Sequence, residues 1–414
     1  MLANRLLGCR QERAGPPARA RSMSHDHLGR PSRRAAHLAN DNPLRALTEV
    51  ISRVPGGINL GQGVCDLETP APLVEGAVES IRGADRQTYT HYSGLPDLKR
   101  AIRAKLARDN GLKVDEDEVM VASGSSGAMY AAALALLDPG DEVVLFEPFY
   151  SYHYSTLKLL GLVPVPVPLG RDDLALDVAA LRAGIGARTR AMIVNTPANP
   201  SGKVFTRTEL ESIASLLADT GVSVFTDEVY EYLCYDGREH VSPATIEGLA
   251  NRTITIGSFS KTFSITGWRI GYLAGPRAAV ELAGRVFDQI AVCAARPLQR
   301  GVARGLDDLE TSFYVRLREA YERKRDRFCE ALGRAGFDVA PPQGAYYVLA
   351  GYRDVLGDVN PYDAAMTLIE RAGINSVPGD VFYARPDGVR SIRFHFAVDD
   401  EVLDSVCARL ESLS

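Results

Sequence analysis

From about residue 115 onward, short apolar runs rich in β-branched residues alternate with longer stretches whose apolar positions recur at helical spacing. The runs are Glu118–Val121, Glu142–Phe146, Ala191–Val194, Val222–Phe225, Thr253–Ile256 and Ile270–Leu273. Continuous apolar strands separated by helices are what a parallel sheet covered on both faces requires, so the pattern predicts an α/β fold, doubly wound or related to it. Polar residues cluster just after these runs. In open α/β sheets ligands bind beyond the carboxyl ends of the strands, so the post-strand segments are where chemistry is sought.

Past Pro297 the texture changes. The spacing predicts one long charged helix from Leu298 to about Ala335, with Gly336 as its C-cap, followed by a smaller α+β region. The expected organisation is an extension over residues 1–40, an N-terminal arm and part of a small domain over 41–75, a large domain over 76–297, and the rest of the small domain over 298–414. The segments before and after the sheet are expected to share one lobe, because neither alone is large enough for a good core. The extension carries eight arginines against Glu12 and Asp26, and Pro16, Pro17 and Pro31 break any long helix. It reads as a transit-like segment or as an unstructured leader ahead of a start at Met23.

Composition narrows the partners. The 414 residues are 46% hydrophobic and 24% charged, an ordinary globular balance that allows one very large or two moderate domains. A formal net charge of -5 gives no general attraction to nucleic acid or anionic lipid. No apolar run approaches the roughly 20 residues that span a bilayer, and the most apolar helix-like stretch, Ala128–Leu137, is too short. The expected partners are small molecules, with neither nucleic acid nor membrane. The six cysteines are scattered, with no CxxC pair and no zinc-ligand spacing, so no metal site or disulfide framework is expected and a reducing cytoplasm fits.

The strongest local signal is the string from Ser258 to Tyr272, Ser-Phe-Ser-Lys-Thr-Phe-Ser-Ile-Thr-Gly-Trp-Arg-Ile-Gly-Tyr. It sets Lys261 just beyond a buried strand, with Ser258 three residues before it and Arg269 eight after. A partly desolvated lysine loses its proton more easily and becomes a nucleophile toward an aldehyde. Ser258 and the planar fork of Arg269 suit a phosphate. A lone lysine in a loop would read as a surface residue, but the whole string resembles the cofactor-lysine signature of the class I aminotransferases, among the fold type I pyridoxal-phosphate enzymes. That resemblance implies a large domain with a mainly parallel seven-stranded sheet plus a smaller α+β domain. It also implies pyridoxal 5'-phosphate on Lys261, and ping-pong transfer of an amino group from an α-amino acid to an α-keto acid.

The other post-strand segments take their meaning from this resemblance. Asn195-Thr196-Pro197-Ala198-Asn199-Pro200-Ser201-Gly202 resembles the family's asparagine-proline turn, which implies that Asn199 bonds the cofactor's phenolic oxygen; alone it is simply a turn. Asp227 ends an apolar run, where a carboxylate keeps a pyridine nitrogen protonated as an electron sink or, more plainly, caps a helix. Tyr230 resembles the tyrosine that shares the phenolic oxygen, and Glu228 is read as structural. Gly124, Ser125 and Ser126 open a helix, a ready anion site, and resemble the family's phosphate cup. Tyr150 matches the ring that stacks on the pyridine, although an aromatic at a strand end is usually core packing. Gly63 matches a substrate-side loop where the backbone comes close to the ligand. Tyr89 matches a tyrosine that reaches the phosphate from a neighbouring subunit, which implies a homodimer with composite sites. Arg393, in Ser391–Ala397, matches the arginine that clamps the substrate α-carboxylate, work suited to its fork. Gln343–Tyr346 and Pro378-Gly379 resemble small-lobe turns, and the similarity runs from about Asn42 to the end.

One departure stands out. Relatives commonly carry a small or hydroxyl residue immediately before Pro297, whereas this chain has Arg296, which reads either as a ligand for an acidic substrate side chain in the partner's pocket or as an interface or solvent-facing arginine. The fold also hosts β-lyases, decarboxylases, cyclopropane-carboxylate synthases and oxidases, which share the lysine, aspartate and phosphate grip. A ligand-sensing regulator would need a winged helix before the match, and a nicotinamide dehydrogenase would need a GxGxxG at the first helix, which is lacking.

Overall fold

A computed structural model describes Ser32, Arg34 and residues 43–413 except Asp66, Asp85 and Asp172, so all but two residues of the Arg-rich extension lie outside the described residues. The strands in chain order are β1 (Ile58–Asn59), β2 (Val119–Ala122), β3 (Glu142–Glu147), β4 (Val163–Pro168), β5 (Thr189–Asn195), β6 (Ser223–Asp227) and β7 (Thr253–Ser258). They continue with β8 (Gly271–Ala274), β9 (Asp338–Val339), β10 (Tyr347–Gly351), β11 (Ile374–Asn375), β12 (Val377–Pro378) and β13 (Ser391–His395). Seven of them form one sheet in the order β2-β8-β7-β6-β5-β3-β4. Six of them point the same way and β8 alone runs against them. Each of the six anticipated runs is a strand, with ends within two residues of those expected.

The sheet holds because its central strands are apolar on both sides. Val143, Leu145, Ala191 and Ile193 pack into one core with helices Gly124–Leu136 and Arg277–Ala291. Their alternates Val144, Met192, Val194 and Val224 enter a second core under helix Arg207–Leu217. That alternation is the period of two of a strand read on a sheet with no wet face.

Two expectations need correcting. The edge strand β4, Val-Pro-Val-Pro-Val-Pro, was not anticipated. The expected single helix after Pro297 is two, Arg296–Asp308 and Thr311–Arg334, separated by an extended Leu309 whose side chain packs into a core. The first of these lies on helices Ala71–Glu79 and Pro96–Asp109, and the second on helix Asp400–Glu411, so the break redirects the chain from one packing partner to another. Gly336 closes the second helix with φ +90°.

A four-stranded antiparallel sheet, β12-β13-β10-β9, carries the C-terminal part. The early segment joins it: β1 pairs parallel with β11, and Leu60 and Cys65 lie in one core with Tyr321, Phe328, Phe394 and Leu403. Residues 59–63 are thereby brought against the carboxyl ends of β5, β6 and β7, with β10 and β13 alongside. Among the described residues no helix is long and apolar enough to cross a membrane.

Candidate active site

Strand β7 delivers the lysine. It is buried along its whole length and ends at Ser258, whose hydroxyl donates to Ser260 Oγ at 2.9 Å. Lys261 follows, half-buried, with its Nζ donating to the Gly63 carbonyl at 3.0 Å and lying 5.7 Å from the centre of the Tyr346 ring. Beyond the turn, Arg269 takes a left-handed conformation, φ 57°, and its guanidinium covers the start of helix Gly124–Leu136. A Cβ on Gly124 would stand 2.5 Å from the end of that guanidinium, which can swing aside, whereas the φ of +71° is what favours glycine there. The first N–H groups of a helix have no intrahelical acceptor, so Gly124, Ser125 and Ser126 with Ser258 and Arg269 make a polar, cationic end suited to a phosphate dianion.

The middle of the cleft is built on a buried carboxylate. Asp227 ends β6 with one carboxylate oxygen 2.9 Å from His153 Nε2, both side chains being buried. His153 stands in the first turn of helix Ser151–Leu159, edge-on to Tyr150 with ring centres 5.1 Å apart. The Asp227 carbonyl accepts from the Asn195 side chain at 2.9 Å, and Asn195 Oδ1 accepts the Asn199 backbone N–H at 2.8 Å. The loop after β5 is thus tied to the end of β6. Burial, then the neighbouring Tyr347, pushes the hydroxyl pKa of Tyr150 and of Tyr230 upward, so both remain proton donors at neutral pH. Glu228, next to Asp227, belongs to a separate buried network. Burial alone would raise its pKa, but hydrogen bonds from His240, Thr226 and Ser242 outweigh it and hold the carboxyl below its ordinary range.

The third wall comes from the C-terminal sheet. Arg393 is 4% exposed; one guanidinium nitrogen donates to Asn199 Oδ1 at 2.8 Å and the other to the Gly61 carbonyl at 2.6 Å. Its buried Nε has no partner among the described residues. Gly63 is pinned between walls: its carbonyl also accepts from Tyr346 at 3.3 Å, and a Cβ on it would lie 2.1 Å from the Tyr347 hydroxyl.

The structure therefore brings together Lys261, Gly63, Asn199, Asp227, Tyr150, Tyr230 and Arg393 in one cleft, and Ser258, Arg269 and Gly124 to Ser126 at its end. Tyr89 stands apart with 79% of its surface exposed. Arg296 does not extend freely from the chain. Its Nε donates to the Thr88 carbonyl at 3.0 Å and its terminal nitrogen to the Tyr89 carbonyl at 3.1 Å. Gln299, one turn on and fully buried, accepts from the Leu95 N–H at 2.8 Å, so the start of this helix grips the loop carrying Tyr89. Sequence reasoning missed His153, Asn195, Tyr346 and Tyr347. For His153 a signal existed, since it lies one helical turn past Tyr150 beyond a neighbouring strand.

These residues fit pyridoxal phosphate. An amine, a helix N-terminus under a guanidinium, a buried carboxylate, protonated phenols and an arginine with an orphaned N–H are what an aldehyde, a phosphate, a pyridinium, a phenolate and a substrate carboxylate call for. Fold and site together define a fold type I pyridoxal-phosphate enzyme. Comparison with known proteins agrees: residues 55–410 match the profile of the class I and II aminotransferases. The chain is 36% identical over 371 residues to a probable N-succinyldiaminopimelate aminotransferase of Mycobacterium tuberculosis, covering 87% of this chain and 93% of the relative. It is 33% identical over 380 residues to mouse kynurenine–oxoglutarate transaminase 3, covering 85% of this chain and 83% of that one. The solved N-succinyldiaminopimelate aminotransferase of Mycobacterium tuberculosis superposes with a TM-score of 0.88 at 34% identity, covering 93% of this chain and 100% of the other. The chain belongs to the class I and II aminotransferase family and is a pyridoxal-phosphate-dependent aminotransferase.

Proposed function

We propose that this aminotransferase works through Lys261 as the group that holds the cofactor and then, once released by the incoming amine, moves the α-proton. The observation that carries this reading is the convergence of the Lys261 amine, the Asp227–His153 pair and the Arg393–Asn199 pair on one cleft. When bound, pyridoxal phosphate supplies an aldehyde for the amino group and a protonated ring that takes up carbanion charge. Asp227, fixed by His153, would keep the cofactor's ring nitrogen protonated. Asn199 and Tyr230 would bond its phenolic oxygen, and Tyr150 would cover its ring. Gly124, Ser125, Ser126, Ser258 and Arg269 would hold its phosphate. Arg393 takes the α-carboxylate and so orients the α-hydrogen toward Lys261, while Gly63 lets the backbone close on the substrate.

Tyr89 is too exposed to serve its own site, and its clamped loop supports a homodimer in which it reaches the phosphate of a second copy. The described cysteines are all free thiols, which supports a cytoplasmic enzyme. Oxoglutarate appears in the name of one relative, and we take 2-oxoglutarate as the acceptor. The relatives differ in the amino acid they are named for, so the donor is identified by experiment. Incubating the holoenzyme with a panel of amino acids should convert the absorbance of the lysine-bound cofactor into that of its amine form for the true donors. A protein that bound the cofactor but made this conversion with no amino acid would be running a different chemistry.

A further inference from the structure

Tyr347 is the side chain in which the separate parts of the cleft meet. It opens β10 and is 3% exposed. Its hydroxyl accepts from the Tyr230 hydroxyl at 3.1 Å. Its ring centre lies 4.3 Å from Cζ of Arg393, nearer than the other ring over that guanidinium, Phe382, at 5.1 Å. Its hydroxyl end fills the space that a side chain on Gly63 would need. Three segments far apart in sequence, around residues 63, 230 and 393, are thus held to one another through one phenol.

We propose that Tyr347 is a positioning residue with two separable actions, its ring fixing the plane of Arg393 and its hydroxyl strengthening Tyr230 as a donor. The inference rests on the roles given above to Arg393 and Tyr230. Asn199 and Gly61 hold the Arg393 guanidinium at its edges, in its own plane. Contact with the face of an aromatic ring is what resists rotation out of that plane, and in a buried site it also offsets part of the cost of desolvating the cation. The hydroxyl acts differently. A phenol carries one donor and can still accept, so when Tyr230 turns its proton toward a ligand oxygen, Tyr347 can donate into the Tyr230 oxygen. Chained hydrogen bonds polarise one another, so the donation makes Tyr230 a better donor and favours the deprotonated form of the oxygen it bonds.

Two variants separate the actions in the holoenzyme. Tyr347→Phe removes only the hydroxyl. The midpoint of the pH titration of the bound cofactor's absorbance should move to higher pH, while KM for amino acids changes by less than about twofold, the mark of an interaction outside carboxylate binding. Tyr347→Leu removes the ring as well, and KM should rise by roughly 2- to 30-fold, alike for acidic and neutral amino acids, as expected for a lost buried cation–aromatic contact. An unchanged titration midpoint in Tyr347→Phe, or equal KM values in Tyr347→Phe and Tyr347→Leu, overturns the proposal. Should Tyr347→Leu fail to fold by thermal melting, the Phe titration decides alone. A parent protein that shows a lysine-bound cofactor yet is indifferent to Tyr347→Phe sinks this inference only. A parent without that chromophore sinks the proposed function and this inference with it.

Discussion

Replacing Arg393 tests the substrate end of the cleft. A guanidinium has five N–H donors. One is spent on Asn199 Oδ1 at 2.8 Å and one on the Gly61 carbonyl at 2.6 Å, while Nε is buried and unpaired among the described residues. Three donors therefore remain, enough for a two-bond fork on a carboxylate. Each charged hydrogen bond contributes roughly 1.5–3 kcal/mol, so losing even one raises KM by about 10- to 150-fold. Removing both does not simply double the energy, because Asn199 and Gly61 lose their donor at the same time and relax together. Arg393→Ala should raise KM at least about tenfold for every amino acid, since all carry the same α-carboxylate. Arg393→Lys, which keeps the charge without the fork, should fall between. Initial rates with glutamate and with a neutral amino acid measure both, and Arg296→Ala is the contrasting variant. Its guanidinium is engaged by the Thr88 and Tyr89 carbonyls, so its loss should affect acidic and neutral donors alike. The reasoning fails if Arg393→Ala leaves KM in place or raises it for one class of donor only. A penalty confined to glutamate in Arg296→Ala would return that arginine to the specificity pocket.

Two further outcomes follow from buried titratable groups. Asp227→Asn keeps the shape of the Asp227–His153 pair but removes the charge, and should lower kcat by on the order of 10²–10³ with a smaller change in cofactor affinity; an unchanged rate of α-proton exchange in heavy water would count against the role. His395 is fully buried, and burial followed by the charge of Arg393 pushes its pKa down from 6.5 to about 3. The unfolded chain takes up a proton near pH 6.5 while the folded chain does not, so this stability is whole above that value and lost as pH falls below it. Between pH 7 and pH 5 the loss is about 2 kcal/mol. Denaturant melts should show that slope in the parent and not in His395→Gln, and equal slopes would refute it.

Much of the cleft was legible because its residues sit in contiguous strings at strand ends, where buried apolar runs announce the strand and the next polar residues face the ligand. Ser258–Tyr272 is such a string. What failed was whatever depended on partners distant in sequence. Tyr347 reads as one more apolar residue of a strand, and only the approach of Arg393 and Tyr230 makes it part of the site. The strand β4 was hidden by its prolines, which argue against a central strand. It lies at the sheet edge, and the Val163 and Leu169 N–H groups bond toward β3. Pro164, Pro166 and Pro168 therefore fall at the alternate positions, whose donors would face outward with no strand to receive them, and their lack of an N–H also blocks edge-to-edge pairing. The break at Leu309 left no trace because neither glycine nor proline marks it; the chain turns there so that one helix can pack on Ala71–Glu79 and the next on Asp400–Glu411. Arg296 was noticed as a departure, but its carbonyl partners belong to a loop some two hundred residues earlier.

The central claim is that Lys261 holds the cofactor. Borohydride reduction of the holoenzyme followed by mass spectrometry of its peptides tests it most directly, because reduction fixes the cofactor covalently to whichever amine carries it. The pyridoxyl-phosphate adduct should be found on the peptide containing Lys261, and Lys261→Ala should yield no adduct while losing at least about 10²-fold in turnover. An adduct on another lysine, or turnover near the parent level in Lys261→Ala, would contradict the account.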